Sequence, residues 1–382
     1  MKIVQVHNFY QQAGGEDTVV ASEREMLSNA GHEVIPYYAY NEKINTFSFL
    51  ERIKLFRQLH FNLTSYEKCK AFLKQHNPHV CHVHNTLHLI SPAIYEACRE
   101  LNIPVVQTLH NYRPICSNGM LSRNDRACSD CINKSAYGAV SKKCYRNSYI
   151  QTLAVSRMIE KNKENHIWTE KIDAIICLTE FSKAIFTQAG FPTDKMHIKP
   201  NFFTAEIESQ KKEDYFIFVG RLDRIKGAHL LPEIAKQLSV LLIVIGEGEL
   251  QSEIEGAENI SYRGNLPHKT TLSYIQKAKA LILPSTVYEG MPMAMLEAFA
   301  LKTPVVASNM GAMASLIDNN STGLLFKPNH AYDAAIKVNS ILNNRSLAEK
   351  IAEKAFNEYI EKYSESANLQ SLIRIYKSVL IS

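Results

Sequence analysis

Leu281-Ile-Leu-Pro-Ser-Thr-Val-Tyr-Glu-Gly-Met-Pro-Met-Ala-Met-Leu-Glu297 runs from three apolar residues through a turn with Gly290 and Pro292 into strong helix formers. Residues 281–283 read as a short buried strand and residues 293–300 as a helix. Glu289 follows the strand end, and open α/β sheets bind ligands beyond the carboxyl ends of their strands. Glu297 lies more than one turn into the helix, at 3.6 residues per turn. Between the two carboxylates lies a helix N-terminus, whose N–H groups make an anion site for a diphosphate. A carboxylate on either side of that site can accept hydrogen bonds from sugar hydroxyls. Two glutamates eight apart can also be plain surface residues, but a charged Glu among Met and Leu needs partners.

Strand-then-helix alternation continues in both directions. Residues 3–6, 32–38, 80–84, 105–109 and 174–178 read as strands, and residues 16–30 as a helix closed by Gly31. Residues 199–213, with Pro200, Asn201 and a polar run from Glu208, read as a linker. A second cycle follows, with strands at 216–219, 241–245, 281–283 and 305–307 and helices at 228–238 and 293–300. The pattern predicts an α/β fold of two Rossmann-like, doubly wound parallel-sheet domains facing across a cleft. Their expected extents are residues 1–198, with a Cys-rich insertion at about 114–147, and residues 199–365. A last helix, residues 366–382, is expected to pack back on the first domain.

The 382 residues suit two domains, and 46% hydrophobic with 21% charged residues excludes a disordered chain. The N-terminus enters a strand directly, without the marks of a secretory signal, and no apolar run approaches the roughly 18 residues of a spanning helix. The expected location is the cytoplasm. Net charge is +5 and uneven, with 14 basic against 6 acidic residues in 51–150. The basic stretches 52–57 and 142–146 suit an anionic membrane surface, or are a solvated face with no partner. No nucleic-acid module accompanies them, so nucleic acid is not expected as a partner.

The Glu289…Glu297 element resembles that of the retaining glycosyltransferases of family 4, which have two Rossmann-like domains (the GT-B fold). Phe218-Val-Gly-Arg-Leu-Asp-Arg-Ile-Lys-Gly227 is similar to the family's Gly-Arg-Leu…Lys-Gly segment. Residues 242–248 are similar to its Ile-x-Gly-x-Gly turn, and Gly323-Leu-Leu-Phe326 to its Gly-Leu-Leu stretch. The resemblance covers nearly the whole chain. It implies that the first domain takes the acceptor and the second the nucleotide-sugar. Arg221 and Lys226 would contact the donor diphosphate, Glu289 the donor sugar and Glu297 the ribose hydroxyls. The backbone of Gly290, Met291, Pro292 and Met293 would hold sugar and phosphate. His110, otherwise a structural histidine after a strand, would hydrogen-bond the donor sugar. Gly14 and Gly15, otherwise a tight turn, would form a loop over the active site. His7 and His84 are weaker candidates for acceptor contacts. One departure is Gly311-Ala-Met-Ala-Ser315, which lacks the family's acidic residue, and no role is transferred there.

No Asp-x-Asp pair offers a divalent-metal site, so the reading is metal-independent, with no cofactor for catalysis. The resemblance implies retention by a front-face route in which the departing phosphate takes the acceptor proton. It also implies a glycan or polyprenyl-linked acceptor in bacterial surface polysaccharide (O-antigen, capsule or exopolysaccharide). The donor stays open between a UDP-sugar and GDP-mannose. The competing reading is a non-catalytic nucleotide-sugar-binding scaffold of the same fold.

Cys116, Cys128, Cys131 and Cys144 are spaced C-x11-C-x2-C-x12-C. Four thiols in a polar stretch suggest a closed structural zinc site, against four unrelated cysteines. A subset of family 4 resembles this region, with Cys-x-Asn-Gly and a later Cys-x-x-Cys and Cys-Tyr-Arg. Cys69, Cys81, Cys98 and Cys177 read as small buried apolar residues.

Overall fold

The computed structural model describes residues 1–11, 14–204 and 210–381. The strands in chain order are β1 (Lys2–Phe9), β2 (Glu33–Tyr40), β3 (Val80–Val83), β4 (Val105–Leu109), β5 (Ser122–Arg123), β6 (Arg126–Ala127), β7 (Ala174–Cys177) and β8 (Met196–Ile198). They continue with β9 (Tyr215–Val219), β10 (Leu241–Ile245), β11 (Ile260–Tyr262), β12 (Leu281–Leu283), β13 (Val305–Ser308) and β14 (Leu324–Phe326). The chain divides into two compact units. One is Met1–Leu121, Ser129–Lys199 and Leu369–Ser382; the other is Ser122–Cys128 and Pro200–Asn368.

The first unit is built on a parallel sheet ordered β2-β1-β3-β4-β7-β8. Its central strands β3, β4 and β7 are buried along their whole length. Parallel strands covered on both faces read as unbroken apolar runs, which is why these segments stood out in the sequence. The second unit carries a parallel sheet ordered β11-β10-β9-β12-β13-β14. The third, second, first and fourth strands of that unit thus lie side by side, which is the doubly wound order with its switch point between β9 and β12. In the first unit the order reverses between β1 and β3.

Several segments differ from the sequence reading. The helix expected over 228–238 is a 3-10 turn, Ala228–Leu230, followed by a short helix, Leu231–Ala235, with Pro232 in its first turn, where a missing N–H costs nothing. β8, β11 and β14, not read as strands, have three residues each, at least one of them only partly buried. Lys199, taken as the start of a linker, is 1% exposed and donates its backbone N–H to Cys177 O at 3.0 Å. Part of the expected linker, residues 205–209, lies outside the described residues.

Two glycines set the loops beyond the second sheet. Gly227 has φ +75°, and a Cβ there would sit 2.0 Å from Pro284 O. Gly246 has φ +133°, and a Cβ there would sit 1.9 Å from Gly220 O. Only a residue without a side chain permits either approach. The loop after β9 is thereby held between the loops after β10 and β12, and Gly220 N–H donates to Ile245 O at 3.0 Å.

Candidate active site

The loop after β9 turns at Asp223, whose Oδ1 accepts the Lys226 backbone N–H at 2.8 Å. This turn aims the Lys226 side chain at the loop after β12. There Lys226 Nζ donates to both carboxylate oxygens of Glu289 at 2.8 Å, and Ser285 Oγ donates to Glu289 Oε1 at 2.6 Å. Burial alone would raise the Glu289 carboxyl. The Lys226 ammonium and these hydrogen bonds outweigh burial and hold it below its usual range. Arg221, on the same loop, is exposed and pairs with Asp223 at 3.1 Å.

Three residues after Glu289, the helix Met293–Ala300 starts at Pro292, with no side chain capping it among the described residues. Glu297 is 7% exposed, and its Oε1 lies 2.9 Å from Nε2 of His268, whose pKa is raised by that hydrogen bond. Met291 is buried, and its sulfur accepts the Asn201 backbone N–H at 3.2 Å. The structure therefore joins Lys226 to Glu289 and seats Gly290, Met291, Pro292 and Met293 in the turn between the two carboxylates. It leaves Arg221 apart from Glu289 as a direct partner. Ser285 and His268 escaped the sequence reading. Ser285 lies in the quoted stretch, four residues before Glu289, but His268 carries no local signal.

In the first unit, His110 follows β4 and its Nε2 lies 2.9 Å from His84 Nδ1, with the rings stacked at 22°. His84 and His82 flank Glu23, which is ion-paired with Lys199 at 3.1 Å. His7 Nε2 lies 2.8 Å from Asp17 Oδ1, and Asp17 Oδ2 accepts the Gly14 backbone N–H at 3.0 Å. Gly14 is extended and has open space where a Cβ would stand; Gly15 opens the helix Gly15–Asn29. Gln12 and Ala13, which complete the expected Gly-rich loop, lie outside the described residues. Glu16 Oε2 accepts from Tyr10 OH at 3.0 Å and from Asn111 Nδ2 at 3.3 Å. Burial, with Asp17 adding to it, pushes the Glu16 carboxyl up to about 8.

The expected zinc site is not assembled. Among the described residues, the one group of three that brings ligand atoms within 4.8 Å of one another is Glu23, His82 and His84, and no three of the four cysteines do so. Cys116 is buried and its thiol donates to Asn118 Oδ1 at 3.0 Å. Cys128 falls in the second unit, while Cys116, Cys131 and Cys144 fall in the first.

Two doubly wound parallel sheets in series define the GT-B class of glycosyltransferase folds. Residues 13–206 match the family model for Glycosyltransferase Family 4, and residues 201–358 match that for Glycosyl transferases group 1. The chain belongs to glycosyltransferase family 4. It is 24% identical over 315 residues to an uncharacterized glycosyltransferase of Methanocaldococcus jannaschii, covering 78% of this chain and 75% of that one. It is 27% identical over 272 residues to the poly(ribitol-phosphate) alpha-N-acetylglucosaminyltransferase of Staphylococcus aureus, covering 64% of this chain and 51% of that one. The fold is shared with Anabaena HepE, solved in complex with UDP, at a TM-score of 0.70 and 16% identity, over 99% of this chain and 100% of that one.

The Glu16 carboxyl makes stability depend on pH. Its pKa is raised from 4.5 to about 8 on folding, so its contribution is complete below the unfolded value and is lost as pH rises toward the folded one. Glu16→Gln, which stays neutral, is expected to gain stability relative to wild type between pH 5 and pH 8. Thermal melts of both proteins at the two pH values measure the difference; a gap that does not change with pH contradicts the assignment.

Proposed function

We propose that this glycosyltransferase is a retaining, metal-independent enzyme. It would transfer a sugar from a nucleotide-sugar to a glycan or polyprenyl-linked acceptor in bacterial surface polysaccharide synthesis. The observation that carries the reading is the Lys226–Glu289 pair at the switch point, one turn of chain away from an uncapped helix N-terminus. The C1–O bond to the diphosphate breaks, the new bond forms on the same face, and the acceptor's proton passes to the departing phosphate. Lys226, Arg221 and the helix N-terminus stabilise the charge that develops on the diphosphate. Glu289 holds the sugar hydroxyls and Glu297 the ribose. The UDP and UDP-glucose complexes of HepE favour a UDP-sugar over GDP-mannose. The Staphylococcus aureus relative, a poly(ribitol-phosphate) alpha-N-acetylglucosaminyltransferase, supports an α-linked product on a polymer acceptor.

A panel of nucleotide-sugars, tested for thermal stabilisation with EDTA present, checks the donor. One donor at about a hundred times its Kd is expected to add about 2.7 kcal/mol, and Glu297→Ala or Lys226→Ala to abolish the gain. NMR of the product is expected to show the donor's anomeric configuration. Binding without turnover on any acceptor would favour the scaffold reading, and an inverted product would overturn retention.

We also propose that the acceptor is met at an anionic membrane on its cytoplasmic side. The helix Phe49–Arg57 exposes Phe49 at 77% and Leu50 at 75% beside Arg52, Lys54 and Arg57. It packs against the helix Tyr149–Glu164, which exposes Tyr149, Ile150 and Leu153, with Lys143 Nζ 4.6 Å from the centre of the Tyr149 ring. Apolar side chains ringed by cations suit a bilayer interface. No described helix is long and apolar enough to cross a membrane. Flotation with anionic vesicles is expected to carry the protein, and Phe49→Ser with Leu50→Ser to release it; protein that stays in solution at low salt contradicts the proposal.

A further inference from the structure

Part of the Cys-rich insertion belongs to the second unit. Ser122–Cys128, which holds the β5–β6 hairpin, groups with Pro200–Asn368, although the chain on either side of it belongs to the first unit. Thr286 makes the tie. Its hydroxyl has the Arg224 carbonyl at 2.9 Å and the Asp125 carbonyl at 3.1 Å as acceptors, and its backbone N–H donates to Ile225 O at 2.9 Å. The hairpin therefore rests on the loops after β9 and β12, the two loops that carry Lys226 and Glu289.

Between the hairpin and these loops lies a cavity of about 310 Å³, at the lower end of the range of small-molecule sites. Every residue that lines it is polar. Two are arginines, Arg126 from the hairpin and Arg224 from the loop after β9. Neither guanidinium has an ion-pair or hydrogen-bond partner among the described residues, and the Asp125 carboxylate beside them is likewise unpaired there. His229 also lines the cavity. Its Nε2 lies 3.3 Å from Asn329 Oδ1, and its Nδ1 is buried with no partner. A buried polar atom left unpaired is costly, and a polar ligand in the cavity offers it a partner.

The lining selects the ligand. A guanidinium presents planar pairs of N–H groups that match two oxygens of a carboxylate or phosphate. Two such cations against one carboxylate favour an oxyanion over a neutral or cationic ligand. Asp125 would repel a bare anion, but it accepts hydrogen bonds from hydroxyls, and the Asn124 and Asn329 amides both donate and accept. The cavity therefore suits an oxyanion carried on a hydroxylated body. It is separate from the nucleotide site, since none of Arg221, Lys226, Glu289 and Glu297 borders it.

We propose that this cavity binds a phosphate- or carboxylate-bearing saccharide, an anionic unit of the acceptor glycan. That the saccharide is the acceptor rests on the proposed function; that an anionic saccharide binds here does not. An acceptor unit in this cavity is gripped by the same two loops that position the Lys226–Glu289 pair.

Calorimetric titration of the full chain tests the site. The probes are ribitol phosphate and glucuronate, set against neutral ribitol, glucose and inorganic phosphate. One anionic saccharide is expected to bind roughly tenfold or more tighter than its neutral counterpart and than inorganic phosphate. Arg126 and Arg224 are exposed, so replacing either leaves no hole in the core. Arg126→Gln and Arg224→Gln are each expected to weaken that binding by roughly tenfold, and Arg126→Gln to bind UDP as wild type does. Wild-type affinity in both variants, or no binding of either anionic saccharide, overturns the site. Inorganic phosphate held as tightly makes it an adventitious ion site only and overturns the saccharide. In transfer assays Arg126→Gln is expected to raise the KM of an acceptor that carries the preferred anion, again by roughly tenfold; an unchanged KM overturns the acceptor role. Failure of the proposed function would show differently, as a chain that binds no nucleotide-sugar yet still binds the saccharide through Arg126.

Discussion

A lysine ammonium and a glutamate carboxylate meet at 2.8 Å beyond the carboxyl ends of β9 and β12, and the loops of the second unit are arranged around that contact. Gly227 lets the lysine's loop press onto Pro284, Gly246 lets the neighbouring turn press onto Gly220, and Asp223 closes the turn that aims Lys226. The pair is neither deep nor free. The Glu289 side chain is 13% exposed and that of Lys226 is 29% exposed. At that depth solvent weakens the pair enough for a phosphate to compete for the ammonium, while the carboxylate stays ionised and able to accept sugar hydroxyls. Placement at the switch point follows from topology, because helices on opposite faces diverge there and leave the strand ends open.

The first unit uses charge in another way. Glu23 and Lys199 are sealed, and burial holds the nearby His84 and His110 below the usual histidine range. The C-terminal helix joins this unit through Tyr376, whose hydroxyl lies 2.7 Å from His82 Nδ1. One unit thus keeps an ion pair at its mouth and the other keeps one in its core.

Most of the fold was legible because it is parallel. β3, β4, β7, β9, β10, β12 and β13 are short apolar runs, and their periodic separation by helices pointed to two doubly wound sheets. β8, β11 and β14 were lost because each has three residues, at least one of them only partly buried, unlike the fully buried run of β12. The second unit's site was legible where its residues are close in sequence, as with Glu289 and the Gly290–Met293 turn. Its other half was legible only by resemblance, since nothing local in the chain joins Lys226 to Glu289 across 62 intervening residues. The first unit's network was mostly hidden. His84 and His110 drew notice as histidines at strand ends, but Glu23 looks like any helix glutamate and Lys199 like linker. The cysteines show the converse, since their spacing suggested a cluster, and no three of their sulfurs lie within 4.8 Å of one another in the structure.

A structure of the protein with a nucleoside diphosphate, determined in the presence of EDTA, tests the central claim most directly. The account predicts the diphosphate at the N-terminus of the helix Met293–Ala300, with Lys226 turned from Glu289 toward phosphate and Glu297 released from His268 onto the ribose. A nucleotide bound elsewhere, or one bound here with Lys226 still held by both oxygens of Glu289, would contradict it.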